Sequence, residues 1–240
     1  AMPHEQMNEQ QVAAYLTMDL RDVVKWASRG QIPCRKLGEQ KYRFCKSDLD
    51  HWVWRQMHNF DCQAIAGIER GVSEYHGFEV DKPLICPLIP DHGLVLPLQA
   101  KTRQSVIRAL LDRAEELGLV YARDDLLNEL LGREKLCSTA LLPGVAFPHP
   151  RHPVPYDIAE SFIIVGASLA GIPFGAEKGS LTRLFFLICC KDDRTHLHVL
   201  ARLVRLLEAK TMTEQLIACD SAEQLAELLA YRELQVLHQG

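Results

Sequence analysis

Two apolar runs late in the chain most strongly constrain its fold. "SFIIVGASLA" (161–170) and "TRLFFLICCK" (182–191) have strand length, are rich in β-branched and aromatic residues, and are apolar without alternation. Such continuity marks strands buried on both faces, in a sheet that helices cover on each side. The sequence supplies those helices. "TRQSVIRALLDRAEELGLV" (102–120) sets Val106, Leu110, Ala114 and Leu117 at helical spacing and ends near Gly118. "RDDLLNELLGREK" (123–135), "DDRTHLHVLARLVRLLE" (192–208) and the stretches 211–219 and 221–238 complete the set. Residues 84–240 therefore read as a layered α/β domain.

Composition narrows the class. With 48% hydrophobic and 24% charged residues, the 240-residue chain is expected to be soluble and globular. No run approaches the roughly 18 apolar residues of a membrane span. The start, "AMPHEQMNEQ", has no apolar core behind a basic segment, so no signal peptide is expected. Eight cysteines contain no CxxC pair and no zinc-finger spacing. Read as reduced core residues, they predict a cytoplasmic protein.

Charge separates the two ends. Residues 1–58 balance at +2 and the remainder at −6, and residues 21–46 hold eight Lys/Arg against Asp22 and Glu39. In residues 1–57, "NEQQVAAYL" predicts a short helix with Asn8 as cap and Gln11 closing a capping box. "TMD" is a tight turn, with Asp19 as the next cap. "LRDVVKWASRG" is a second helix ending at Gly30. "CRKLGEQKYRFC" reads as a hairpin turning at Gly38, and Ser47 as the cap of a third helix over "SDLDHWVW". Two short helices joined by a three-residue turn make a helix-turn-helix. With "AAYL", "VVKWASRGQIP", "YRF" and "SDLDHW" in this order, residues 8–55 resemble the excisionase-like and MerR-like winged helix-turn-helix family. That resemblance implies duplex DNA as partner, met by the second helix and the wing. Arg21, Lys25, Arg35, Lys36, Lys41 and Arg43 are the candidate contacts to phosphates or base edges. Asp22, at the end of the helix that enters the groove, departs from this, and a protein-docking role stays open. Residues 58–83 read as a linker containing one helix.

The remaining motif is "GVAFPHPRHP" (144–153), which fixes His149 between Pro148 and Pro150. A metal pair, a rigid structural loop and a phosphorylated histidine each place histidine beside proline. The pairs His149/His152 and His196/His198 offer four imidazoles, but catalytic zinc adds an acid or cysteine at motif spacing. On a helix starting near Thr195, His196 shares a face with Leu200, Leu203 and Leu207. His198 is expected on the opposite, outward face with Arg202 and Arg205. Phosphoryl transfer needs an exposed neutral imidazole, and donors around the phosphate oxygens. The prolines restrict the backbone around His149, the first turn of a helix at His196 favours an anion, and Arg133 offers a permanent forked charge.

"GREKLCSTALLPGVAFPHP", "GIPFGA", "LTRLFFLICCKDD" and "THLHVLARL" occur in that order across residues 84–238. In this they resemble the enzyme IIA domains of the fructose–mannitol type in the phosphotransferase system, nitrogen-regulatory members included. The resemblance implies a three-layer α/β/α domain with a mixed sheet. It implies a phosphorylated His149, a second site histidine at His196, Arg133 nearby, and phosphate contacts from Ser138 and Thr139. The donor it implies is a phosphorylated histidine carrier protein. The group passes between imidazoles, so neither metal nor cofactor is expected, and no membrane partner. The family commonly has glycine where this chain has Pro150, which removes an N–H. His152 reads as a loop residue. The resulting expectation is a phosphotransferase-type regulator that binds DNA. The alternative is a phosphocarrier that passes the group onward, with the first module docking proteins only. A homodimer stays open.

Overall fold

The computed structural model describes residues 5–38, 41–79, 81–176, 179–207 and 210–238. Contacts divide the chain into two units, Ala1–Lys82 with Leu197–Arg205, and Pro83–His196 with Leu206–Gly240.

The first unit opens with strand β1 (Gln6–Met7) and helix α1 (Glu9–Tyr15), which Asn8 and Gln11 cap reciprocally as the sequence predicts. Asp19 accepts the N–H of Arg21 and starts α2 (Leu20–Ser28). Strands β2 (Arg35–Gly38) and β3 (Lys41–Cys45) form the wing, and β1 pairs with the other edge of β3. The expected hairpin turn runs into residues 39 and 40, outside the described residues. Helix α3 (Lys46–Gln56) begins one residue before Ser47, so the cap expected of Ser47 is not formed. The junction is fixed instead by strand pairing, because Lys46 donates its N–H to the Glu5 carbonyl at 2.9 Å. Trp52 of α3 lies against Trp26 of α2, the rings tilted by 55°, and donates to the Gln31 carbonyl just beyond α2.

Helix α4 (Cys62–His76) accounts for the helix expected within 58–83. It belongs to the first unit rather than spanning free space: Ile65, Ile68 and Val72 are buried, and Thr17 Oγ1 donates to the Gly67 carbonyl at 2.7 Å.

The second unit is built on a four-stranded sheet in the order β4 (Leu94–Val95), β6 (Phe162–Ile172), β7 (Thr182–Cys189), β5 (Val145–Ala146). The outer pairs are parallel and the central pair antiparallel, so the sheet is mixed. Helices α5 (Arg103–Glu116) and α6 (Arg123–Leu136) cover one face. Val106, Leu110, Leu126 and Leu130 pack there with Ile164, Phe185 and Leu187. The residues between these on the strands, Ile163, Val165, Phe186 and Ile188, are just as buried. Helices α8 (Lys210–Ile217) and α9 (Ala222–Leu237) pack on the sheet as well, α8 on β6 and β7 and α9 on β4. This two-sided burial is why the strands read as unbroken apolar runs. Helix α7 (Asp193–Leu207) follows β7 and gives residues to both units. All eight cysteines are free thiols, and among the described residues no helix is long and apolar enough to cross a membrane.

Candidate functional site

His149 sits where β5 leads out of the sheet. β5 is paired to β7 through Ala146 and Phe185, and the Pro148 carbonyl accepts the N–H of Ile188 at 2.9 Å. The two prolines and this bond leave the His149 backbone little freedom. The side chain is fixed as well, with Nδ1 2.7 Å from the Phe147 carbonyl oxygen. A carbonyl only accepts, so Nδ1 carries a proton, and the neutral form of this ring has its lone pair on Nε2. The His196 ring lies beside it, centroids 4.9 Å apart and tilted by 55°. His196 is in the first turn of α7, whose start is capped by Asp192 accepting the Thr195 N–H at 2.8 Å.

The imidazole was expected to be exposed, and it is not: His149 is 2% exposed. The whole stretch from Val145 to Pro150 is buried, and the second imidazole stands against it.

Arg133 is also buried, near the end of α6, and Nη1 donates to the Cys137 carbonyl at 2.8 Å. That bond ties it to the segment 137–139, which in turn reaches Phe147, whose N–H donates to the Thr139 carbonyl at 3.1 Å. In this state both expected phosphate hydroxyls are committed to protein acceptors. Ser138 donates to the Phe174 carbonyl at 3.1 Å and the fully buried Thr139 to Glu134 at 2.8 Å. His152 lies exposed in the following bend.

The outward place expected for His198, Arg202 and Arg205 is wrong. His198 is 2% and Arg202 0% exposed. All three meet the buried carboxylate of Glu69 from α4: His198 Nε2 at 3.2 Å, and Arg202 Nε and Arg205 Nη1 in closer ion pairs. Helix α7 is covered on this face too, so its polar stripe faces a buried counter-charge instead of water. Burial pushes the Glu69 carboxyl up, but the His198 hydrogen bond and the two guanidinium charges outweigh it and hold it below the usual glutamate range. Neither Glu69 nor Glu134 stood out in the sequence, since a lone acid on a helix looks like any solvated residue.

On the first unit, Arg21, Lys25, Arg35, Lys36, Lys41 and Arg43 are all exposed, as is Asp22. Arg35 and Arg43 stand directly opposite each other on the wing.

Residues 88–231 match the family described as "Phosphoenolpyruvate-dependent sugar phosphotransferase system, EIIA 2". The chain belongs to this family. Residues 7–57 match a helix-turn-helix domain family. The fructose-specific EIIABC component of Bacillus subtilis (strain 168) is 26% identical over 147 residues, 60% of this chain and 23% of that protein. The chain thus spans under a quarter of that relative's length. The nitrogen regulatory protein of Bradyrhizobium diazoefficiens is 28% identical over 148 residues, 61% of this chain and 94% of that one. Among solved structures, nitrogen regulatory protein IIA-Ntr from Neisseria meningitidis aligns with a TM-score of 0.55 at 26% identity, over 61% of this chain and 99% of that one. IIA mannitol from Escherichia coli aligns with a TM-score of 0.52 at 25% identity, over 58% and 97%.

Proposed function

We propose that this IIA-type protein accepts a phosphoryl group on Nε2 of His149 and that the phosphorylation state controls DNA binding by its helix-turn-helix module. The observation that carries the first half is the Nδ1–Phe147 carbonyl bond beside the His196 ring. The Nε2 lone pair attacks the phosphorus of a phosphohistidine on the carrier protein. The donor's P–N bond breaks, its electron pair returns to the donor imidazole, and a new N–P bond forms on His149. Positive charge grows on the His149 ring as this happens. The Phe147 carbonyl accepts more strongly from the resulting cation, which is stabilisation gained along the reaction. His196 and Arg133 serve the phosphate oxygens.

The wing supports the second half. Like charges directly opposite on an antiparallel pair are destabilising. The Arg35–Arg43 pair is therefore a cost that a phosphate lying across it removes. Asp22 favours the docking alternative, because it would approach backbone phosphates. A covalent route between the two activities exists in α7, which carries His196 in the second unit while Leu197–Arg205 belong to the first.

The test is incubation with phosphorylated carrier protein and intact-mass measurement, with His149→Ala as control. Gain of one acid-labile phosphoryl group, absent in the variant, is expected. Full labelling of His149→Ala refutes the acceptor. Labelled duplex is then titrated with both forms of the full chain. Equal affinities leave two independent activities, and no binding at low salt selects docking.

A further inference from the structure

Glu134 is buried at 3% exposure and lies outside the set His149, His196 and Arg133. Its carboxylate accepts the Thr139 N–H at 3.0 Å through Oε1 and the Thr139 hydroxyl at 2.8 Å through Oε2. The Thr139 carbonyl accepts the Phe147 N–H at 3.1 Å. The Phe147 carbonyl accepts Nδ1–H of His149 at 2.7 Å. From carboxylate to nucleophile the path is continuous, and every residue on it is buried. Each bond falls on a different peptide group, so the path transmits position rather than polarisation.

We propose that Glu134 is a positioning residue for the phosphoacceptor, holding His149 in its Nδ1–H tautomer by fixing Thr139 and, through it, the Phe147 carbonyl. Two facts separate this role from general support of the loop. The backbone around His149 is already anchored to β7 by the β5 pairing and the Pro148–Ile188 bond, without Glu134. Those anchors leave the χ angles of His149 open, and the Phe147 carbonyl bond holds the proton on Nδ1. Arg103 places its Nε 3.9 Å from Oε1 of the same carboxylate. At that distance it steers the carboxylate without competing for its hydrogen bonds. Burial pushes the Glu134 carboxyl above the ordinary value, while the bonds from Thr139 and Ser138 and the Arg103 charge pull it back.

The proposal rests on His149 as acceptor, but its principal readout does not. Long-range nitrogen–proton NMR of the unphosphorylated full chain reports the His149 tautomer directly. In Glu134→Ala the fixed Nδ1–H pattern should give way to a tautomer average. Phosphorylation by the carrier protein should slow by roughly 10–100-fold, the usual cost of losing a partner that orients a working histidine. Glu134→Gln keeps an acceptor for the Thr139 N–H, and the Thr139 hydroxyl can turn to accept from the new amide, so it should restore the tautomer and most of the rate. A folded Glu134→Ala with the parent tautomer overturns the proposal, whatever its rate. If that variant loses its thermal transition, Thr139→Val takes its place. It removes the hydroxyl bond alone, and a smaller shift of the same tautomer signal is expected. An unmoved signal there overturns the proposal equally. Labelling of His149→Ala would refute the acceptor assignment and leave the tautomer result standing.

Discussion

Replacing Glu69 by alanine removes a fully buried carboxylate and leaves the buried Arg202 guanidinium without it. Deleting one partner of a buried ion pair costs about 3–5 kcal/mol, because the desolvation of the other is no longer offset. A domain holds roughly 5–15 kcal/mol in total, so the first unit should lose a large share of its stability. All three tryptophans, Trp26, Trp52 and Trp54, lie in that unit, so their fluorescence in a urea titration reports on it alone. With a slope of about 2 kcal/mol/M, the midpoint should fall by roughly 1.5–2.5 M. The pH dependence has a definite sign. The carboxyl is held below its ordinary value, so its contribution is present above about pH 4.3 and is lost as the pH falls through the lower folded value. The variant should therefore lose less than the parent on acidification. A midpoint shift under about 0.5 M, against the slope used above, would mean that the ion pairs are no better than a solvated surface cluster.

In the proposed phosphotransfer site, Arg133→Ala and His196→Ala should each slow single-turnover labelling by roughly 10²–10³ while the label stays on His149. On the wing, Arg35→Ala or Lys41→Ala should flatten the log–log dependence of DNA affinity on salt by about 1, and Arg21→Ala should relax sequence preference. Gly71→Ala would drive a Cβ into the Tyr15 carbonyl oxygen and place it 2.9 Å from that of Ala14. Backbone cannot yield as a side chain does, so a loss of roughly 1–3 kcal/mol is expected in the same urea titration.

The parts legible in the sequence are those governed by local or periodic rules. Asn8 with Gln11, and Asp19, announce helix starts because capping involves residues two or three apart. The strands at 162–172 and 182–189 announce themselves because burial on both faces removes alternation. Ser47 misleads because strand pairing from Glu5 to Lys46, distant in sequence, decides the start of α3. The same holds for the polar stripe of α7. His198, Arg202 and Arg205 follow the spacing of a solvated face, and nothing near them reveals a carboxylate 129 residues earlier. Exposure of His149 was inferred from chemistry alone, whereas the folded chain buries it and brings the His196 ring from another element against it.

That cover on α7 limits how the two proposed activities could be joined. Phosphorylation adds about 1.5–2 negative charges near the first turn of α7, next to His196. The following turns carry His198, Arg202 and Arg205, fixed to Glu69 by charge-assisted bonds with defined geometry. A buried network of this kind does not stretch: α7 either keeps its bonds to Glu69 or exchanges them for another set. A switch through α7 is therefore between discrete arrangements, and the phosphoryl group acts only by its difference in free energy between them. Couplings of this type are about 1–3 kcal/mol, a change in DNA affinity of roughly 5–150-fold. Deleting Glu69 costs about 3–5 kcal/mol by the measure used above, which exceeds that coupling. Phosphorylation alone would thus fall short of breaking the network without replacement, so a switch of the proposed kind must either keep most of these bonds or exchange them for others.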